Sequence, residues 1–408
     1  MEQESTFRDT DKQTTTGYKH YSKKRIAIIG AGPAGCTCAK FLTDAGFKVI
    51  LFDRGKYLRT LLPTGGGRCN LSNAEYNFKQ LAKNYPRGEK FLYSIFSKFS
   101  VYDTINYFNS IGIKIYTQED NRIFPISNSA KEVRSKLLNA ISKCKFISEE
   151  VKSIEKLDNC YKITSNKSSY AFDNVIIAIG GHSSFEIFSK LGINITPLTQ
   201  ALVGFTTKED LSKLSGVKIS NVKVTIEKKH YYGDILFTHN GVSGPVIYTI
   251  SSIYARKELP YNISVELHPQ FDLQEILNKN SHKTIKNTLK EVIPASVASY
   301  ILSELNIPEN TLSAYIGKMS RNKILNGIND MQLKITGKTP KGEVVTCGGV
   351  DLKEINSKTM EAKKYPGLYF IGEVLDIDGL CGGFNLQACW SEGFVAAQSI
   401  IKEVFIPY

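Results

Sequence analysis

Lys24-Arg25-Ile26-Ala27-Ile28-Ile29-Gly30-Ala31-Gly32-Pro33-Ala34-Gly35 is the stretch that decides the fold. A short apolar run passes directly into glycines at G-x-G-x-x-G spacing, and Cys36 to Asp44 continues with helical character. The order is strand, turn, helix. Gly30 makes the tight turn, Gly32 lets backbone amides approach a pyrophosphate, and Gly35 lets the helix pack on its strand. A second strand, Lys48-Val49-Ile50-Leu51-Phe52, ends on Asp53, about 20 residues beyond the turn, where a carboxylate can take the ribose hydroxyls of an adenosine half. Together these elements open an α/β fold of Rossmann type, built on a doubly wound parallel sheet.

Working outward, Phe91 to Phe108 and Ala130 to Ile141 have amphipathic helical spacing, and Val175-Ile176-Ile177-Ala178-Ile179-Gly180-Gly181 is a buried strand with a glycine stop. From Leu191 the texture changes. Leu202 to Phe205, Val222 to Glu227, Asp234 to Phe237, Ile263 to Leu267 and Gln332 to Thr336 read as short strands, and Leu273 to Leu325 as several short helices. Glycine-rich, apolar character returns at Thr346-Cys347-Gly348-Gly349-Val350. Gly367 to Gly372 supplies a last central strand, and Asn385 to Glu403 a closing helix. The expected division is a polar, disordered extension at 1–22, a nucleotide-binding domain at 23–190 and 344–408, a β-rich insert at 191–272 and 326–343, and a helical subdomain at 273–325.

Composition excludes several classes. Hydrophobic residues are 42% and charged residues 22%, ordinary for a globular protein, and no run approaches the roughly 20 apolar residues of a membrane span. The first 22 residues lack the apolar core of a secretory signal. The eight cysteines show no C-x-x-C spacing, which argues against a zinc site and against a dithiol redox pair, and reduced thiols in a cytoplasmic protein are expected. A formal charge of +13 attracts polyanions such as nucleic acid. Lys, Asn and Ile are abundant throughout, so charge alone does not assign a partner.

The fingerprint is common to FAD and NAD sites. Tyr369-Phe370-Ile371-Gly372-Glu373-Val374-Leu375-Asp376 favours FAD, because a strand delivering Gly-Glu and then Asp beside the first glycine turn suits a flavin's ribityl chain and pyrophosphate. Gly382-Gly383-Phe384-Asn385-Leu386 opens the closing helix, whose amide end can stabilise negative charge on the flavin's pyrimidine edge. Thr64-Gly65-Gly66-Gly67-Arg68-Cys69-Asn70 is expected to line the isoalloxazine, with Arg68 positioning flavin or phosphate. Further cofactor contacts are expected at Pro33, Ala34, Arg54, Val151, Ala178 and Gly180. Phe237-Thr238-His239-Asn240-Gly241 ends a strand in a polar loop, and His239 is a candidate proton donor or substrate hydrogen-bonder.

The strings GAGPAG, TGGGRCNLSN, NRIFPISNSAKEV, FTHNGVSGP, TCGGV and GEVLDIDGLCGGFNLQ together resemble the YhiN-like flavoproteins, the BaiN/RdsA family of FAD-dependent oxidoreductases. The resemblance spans Ile26 to Gly393. It implies an FAD domain split by a β-barrel-like subdomain and a small helical one, with FAD contacts at Gly30, Gly32, Gly35, Asp53, Arg54, Gly67, Arg68, Gly372, Asp376, Gly383, Asn385 and Leu386. The chain departs from the family pattern at Thr64, at Leu202-Val203-Gly204 and at Ala388-Cys389, which bears on substrate more than on cofactor. Two activities attach to the family: reduction of an activated C=C bond in steroid-like molecules, and reduction of a uridine in large-subunit ribosomal RNA to dihydrouridine. In both, a reduced flavin gives hydride to an electron-poor carbon and an acid protonates its neighbour. With one dinucleotide fingerprint in the chain, NADH or NADPH is expected as a transient donor without a domain of its own. The charge and the Lys-rich insert favour ribosomal RNA or a pre-ribosomal particle as partner, with a small-molecule alkene as the alternative and a flavin-binding protein without turnover as a third reading. Cys69 and Cys381, in glycine-rich loops near the ring, join His239 as candidate proton donors.

Overall fold

A computed structural model describes residues 24–405, apart from 56, 182, 184, 269–270 and 340–344. The expected extension at 1–22 lies outside the described residues. Strand β1 (Ile26–Ile29) runs into helix α1 (Pro33–Asp44), and β2 (Val49–Asp53), β3 (Lys145–Ser148) and β4 (Asn174–Ile177) follow. After a long interruption come β11 (Leu368–Phe370) and the 22-residue closing helix α3 (Phe384–Phe405). These strands form a five-stranded parallel sheet in the order β11-β4-β1-β2-β3. All of β1 and β4 is buried, as strands covered on both faces require, and this explains the apolar runs Ile26–Ile29 and Val175–Ile177. α1 and α3 lie against each other so closely that a Cβ on Gly393 would stand 2.6 Å from the Ala34 carbonyl oxygen. Phe394 of α3 packs edge-on against Phe41 of α1, ring centroids 4.9 Å apart.

The interruption is a closed antiparallel barrel: β5 (Phe205–Thr207), β6 (Lys218–Ile226), β7 (Lys229–Thr238), β8 (Gly241–Ser243), β9 (Tyr261–Glu266) and β10 (Met331–Lys338), ordered β5-β8-β7-β6-β9-β10. Helix α2 (Pro245–Ile253) packs on β7 between β8 and β9. Four helices, spanning 273–279, 285–289, 295–304 and 318–329, lie between β9 and β10. They have no core of their own. Leu277, Leu289, Ile301 and Ile328 share one apolar cluster with Val224, Ile263 and Leu333 of the barrel, separate from the cluster under the parallel sheet.

The chain leaves the parallel-sheet domain and returns to it on adjacent strands. Thr199–Ala201 pairs antiparallel with Val345–Cys347, and Lys338 Nζ donates to Thr199 Oγ1 at 2.8 Å, Gln200 O at 2.7 Å and Ala255 O at 2.8 Å. Leu202 to Phe205, expected as one strand, is instead a break between two. Leu202 has φ +52°, which ends the first strand before β5 begins. Phe91 to Phe108 likewise divides into helices at 89–96 and 101–110. Ser100 accepts from the Asp103 N–H while the Asp103 carboxylate accepts the Ser100 N–H at 2.7 Å, a capping box that starts a new helix.

Two Arg–Asp pairs fasten the barrel unit to the loop after β11. Arg87 pairs with both carboxylate oxygens of the fully buried Asp378 and donates to Ser252 O of α2 at 2.7 Å, while Ser252 Oγ donates to Asp378 at 3.0 Å. Arg256 donates to both oxygens of Asp376 at 2.8 Å.

Candidate functional site

A cleft of about 930 Å³ opens at the carboxyl ends of the parallel strands, the place where open α/β sheets bind ligands. Each strand delivers residues to it: β1 through Gly30, β2 through Asp53 and Arg54, β3 through Glu149 and Val151, β4 through Ala178 and Gly180, and β11 through Gly372 and Glu373. The amino ends of two helices complete the wall. Gly32, Pro33 and Ala34 begin α1, and Gly382, Gly383, Asn385 and Leu386 begin α3.

The physics of the wall suits an anionic dinucleotide. The first turn of α1 has no side-chain cap and no acidic residue, so its amides are available to a phosphate. A Cβ on Gly32 would meet no atom within 4 Å, so a side chain there would project into the cleft and occupy the cradle. Asp53 keeps one carboxylate oxygen on the Ala31 N–H at 2.9 Å, which ties the end of β2 to the glycine turn. At the far end, Asn385 donates to Gly379 O at 2.9 Å and accepts the Gly379 N–H at 2.8 Å, fixing the loop that carries Cys381. Tyr85 donates to Phe384 O at 2.6 Å and Trp390 to Leu71 O at 2.8 Å, so α3 is anchored by residues from the first half of the chain. The residues present fit FAD along the whole cleft.

Several expected contacts lie elsewhere. Gly35 is off the cleft and serves packing alone, because its Cβ would stand 2.1 Å from Gly30 O. Of the 64–70 loop only Thr64, Gly65 and Asn70 reach the wall. Gly66 and Gly67 are exposed, and Arg68 is spent on the loop itself, with Nε donating to Gly65 O at 3.2 Å and the guanidinium 4.2 Å from the Phe124 ring centre. Cys69 is fully buried and does not line the cleft, and burial pushes its thiol up to about 12. Asp376 is engaged by Arg256, and Phe384 packs beside Tyr85 with ring centroids 6.1 Å apart. His239 is exposed on the turn between β7 and β8 and does not line the cleft. Of the three candidate proton donors, only Cys381 is on the wall.

The wall also holds Arg59, Arg122, Val345 and Glu392, to which the sequence reading gives no contact, together with Leu202 and Cys389 from two segments that depart from the family pattern. Leu202 and Val345 belong to the two crossings into the barrel, so the insert borders the site. Arg122 lies in NRIFPIS, one of the strings that carry the family resemblance. Glu392 had a legible signal, a lone carboxylate inside the apolar helix run Ala388-Cys389-Trp390-Ser391-Glu392-Gly393-Phe394-Val395. Among the described residues no cluster of His, Cys, Asp and Glu is arranged to hold a metal, and no helix is long and apolar enough to cross a membrane.

A glycine turn, an acid at the end of the second strand and a second glycine-rich helix start, meeting in one cleft, define a Rossmann-type nucleotide-binding protein split by a barrel. The chain belongs to the HI0933-like family of proteins with this Rossmann domain, whose family model matches residues 24–399, and with it to the flavoprotein oxidoreductases its motifs resemble. It is 32% identical over 396 residues to a ribosomal RNA dihydrouridine synthase of Escherichia coli, covering 92% of this chain and 97% of the relative. It is 31% identical over 405 residues to a Haemophilus influenzae protein of the same name, covering 92% and 98%. A 3-dehydro-bile acid delta(4,6)-reductase of Clostridium scindens is 24% identical over 408 residues, covering 92% and 98%.

Proposed function

We propose that this protein is an FAD-dependent reductase that uses NADH or NADPH to saturate an activated C=C bond, and that the bond is the C5=C6 of a uridine in large-subunit ribosomal RNA. The cleft supports the cofactor reading: one wall joins the uncapped start of α1, the carboxylate of Asp53 and the glycine-rich start of α3, groups suited to a phosphate, a ribose and the flavin's anionic edge. The RNA reading rests on full-length similarity to two relatives named for that activity, higher than to the relative named for a bile acid, and on the formal charge of +13.

FAD, when bound, supplies the hydride. The protein's part is to hold the dinucleotide by the α1 amides and Asp53, to exclude water, and to place a proton. Cys381 lies in the loop fixed by Asn385. Cys381 is exposed at the wall of the cleft, its thiol pKa raised by desolvation with Arg122 pulling the other way, and in its thiol form it is placed to act as the general acid. Cys381→Ala is expected to retain FAD while lowering turnover by about 10²-fold or more. A variant with unchanged turnover would assign the proton to water or substrate.

The substrate is tested by mass-spectrometric mapping of dihydrouridine in large-subunit ribosomal RNA from cells lacking the gene and from cells with it restored. Loss and recovery of one dihydrouridine is the expected result. An unchanged pattern would transfer the activity to a small-molecule alkene and leave the cofactor reading intact.

A further inference from the structure

Glu392 is anomalous. It sits on α3 at the wall of the cleft, fully buried, with Oε2 accepting the Gly372 N–H at 2.5 Å. Its other oxygen, Oε1, has no hydrogen-bond partner among the described residues. A buried, unpaired carboxylate oxygen costs free energy unless it carries a proton and meets an acceptor. The location says what that acceptor is. Gly372 lies over the first turn of α1, its Cβ position 3.0 Å from the Ala34 Cβ, and that turn is the phosphate-binding end of the helix.

We propose that Glu392 binds the cofactor as a neutral carboxylic acid, donating from Oε1 to an oxygen of the dinucleotide backbone at the start of α1. The inference rests on the FAD reading and names one of its contacts. The groups facing Glu392 support the neutral form. Gly372 offers one N–H, Tyr85 and Cys389 lie within its electrostatic reach with hydroxyl and thiol kept protonated by burial, and Glu373 on the neighbouring turn adds a like charge beside Cys389. Among the described residues no cation acts on it. Burial accordingly pushes the Glu392 carboxyl up to about 8, with the Gly372 N–H opposing. An anionic pyrophosphate alongside would move it further the same way.

The sign follows directly. Below pH 8 the acid is protonated and donates. Above it, the binding-competent form is depleted and the carboxylate repels the phosphates. The apparent Kd for FAD is expected to be flat from pH 6.5 to 7.5 and to weaken roughly tenfold per pH unit once the acid ionises. Titrating FAD into flavin-free protein, followed by fluorescence, measures this without turnover. Glu392→Gln keeps a donor in the same shape, and is expected to bind FAD with an affinity that varies less than about twofold over pH 6.5–9. A wild-type affinity independent of pH over that range, or a Gln variant with the same pH dependence as wild type, overturns the role of Glu392 and leaves the FAD site standing. Failure of the wild type to bind FAD at any pH overturns both.

Discussion

Arg87→Ala is expected to lower the free energy of unfolding by about 3–5 kcal/mol, read as a reduced midpoint in urea. The carboxylate of Asp378 has no exposed surface, and Arg87 supplies its neutralising charge. Removing the guanidinium leaves a desolvated anion whose remaining side-chain hydrogen-bond partner among the described residues is the hydroxyl of Ser252, with the Arg256 charge near it but held by Asp376. The Arg87 contact to the Ser252 carbonyl, which fastens α2 to the loop after β11, disappears with it. Because the loss comes from an uncompensated charge, the double variant Arg87→Met/Asp378→Asn should recover most of it. A single variant destabilised by less than about 1 kcal/mol would mean that the pair is worth no more than a surface ion pair.

Gly30→Ala is expected to give a protein that purifies without the yellow of bound flavin, or fails to accumulate in folded form. Gly30 has φ +107°, a backbone conformation that a side chain strains, and a Cβ there would stand 2.2 Å from the Ala178 carbonyl oxygen. The neighbour is backbone at the end of β4, so nothing flexible can yield. Relief requires β1 and β4 to separate at the point where both feed the cleft. Flavin absorbance per mole of purified protein is the measurement, and full occupancy in the Ala variant would show that the turn tolerates a shift the geometry forbids.

The nucleotide-binding half was legible because its signals are local. The strand β1, the G-x-G-x-x-G turn and Asp53 lie within one short βαβ unit, and each residue's physical reason could be read from its neighbours in sequence. The closing helix was legible for the same reason. What misled were groups whose partners come from far along the chain. Arg68 looks like a phosphate ligand until Phe124 and the Gly65 carbonyl claim it, and Asp376 looks like a cofactor contact until Arg256 does. Cys69 is adjacent to wall residues in sequence, yet its φ of +66° goes with a side chain buried in the core. Glu392 stands among apolar neighbours in sequence, yet a glutamate in a helix is ordinarily read as a solvated face, and it is the packing of α1 on α3 that buries this one completely.

The side-by-side departure and return of the chain at Thr199–Ala201 and Val345–Cys347 carries a consequence for how such a protein can change. To the parallel sheet, everything between those strands is the loop of a hairpin whose tip happens to be folded. Closing a loop grows costlier only with the logarithm of its length. The chain-entropy cost of lengthening or shortening the barrel and its helices is therefore small, provided that Ser252 and Arg256 keep their contacts to the domain beneath. Leu202 and Val345, at the root of that hairpin, keep whatever is grafted there at the lip of the cleft. The architecture thus separates inheritance of the cofactor from inheritance of the substrate, and new substrates can be tried without rebuilding the redox site.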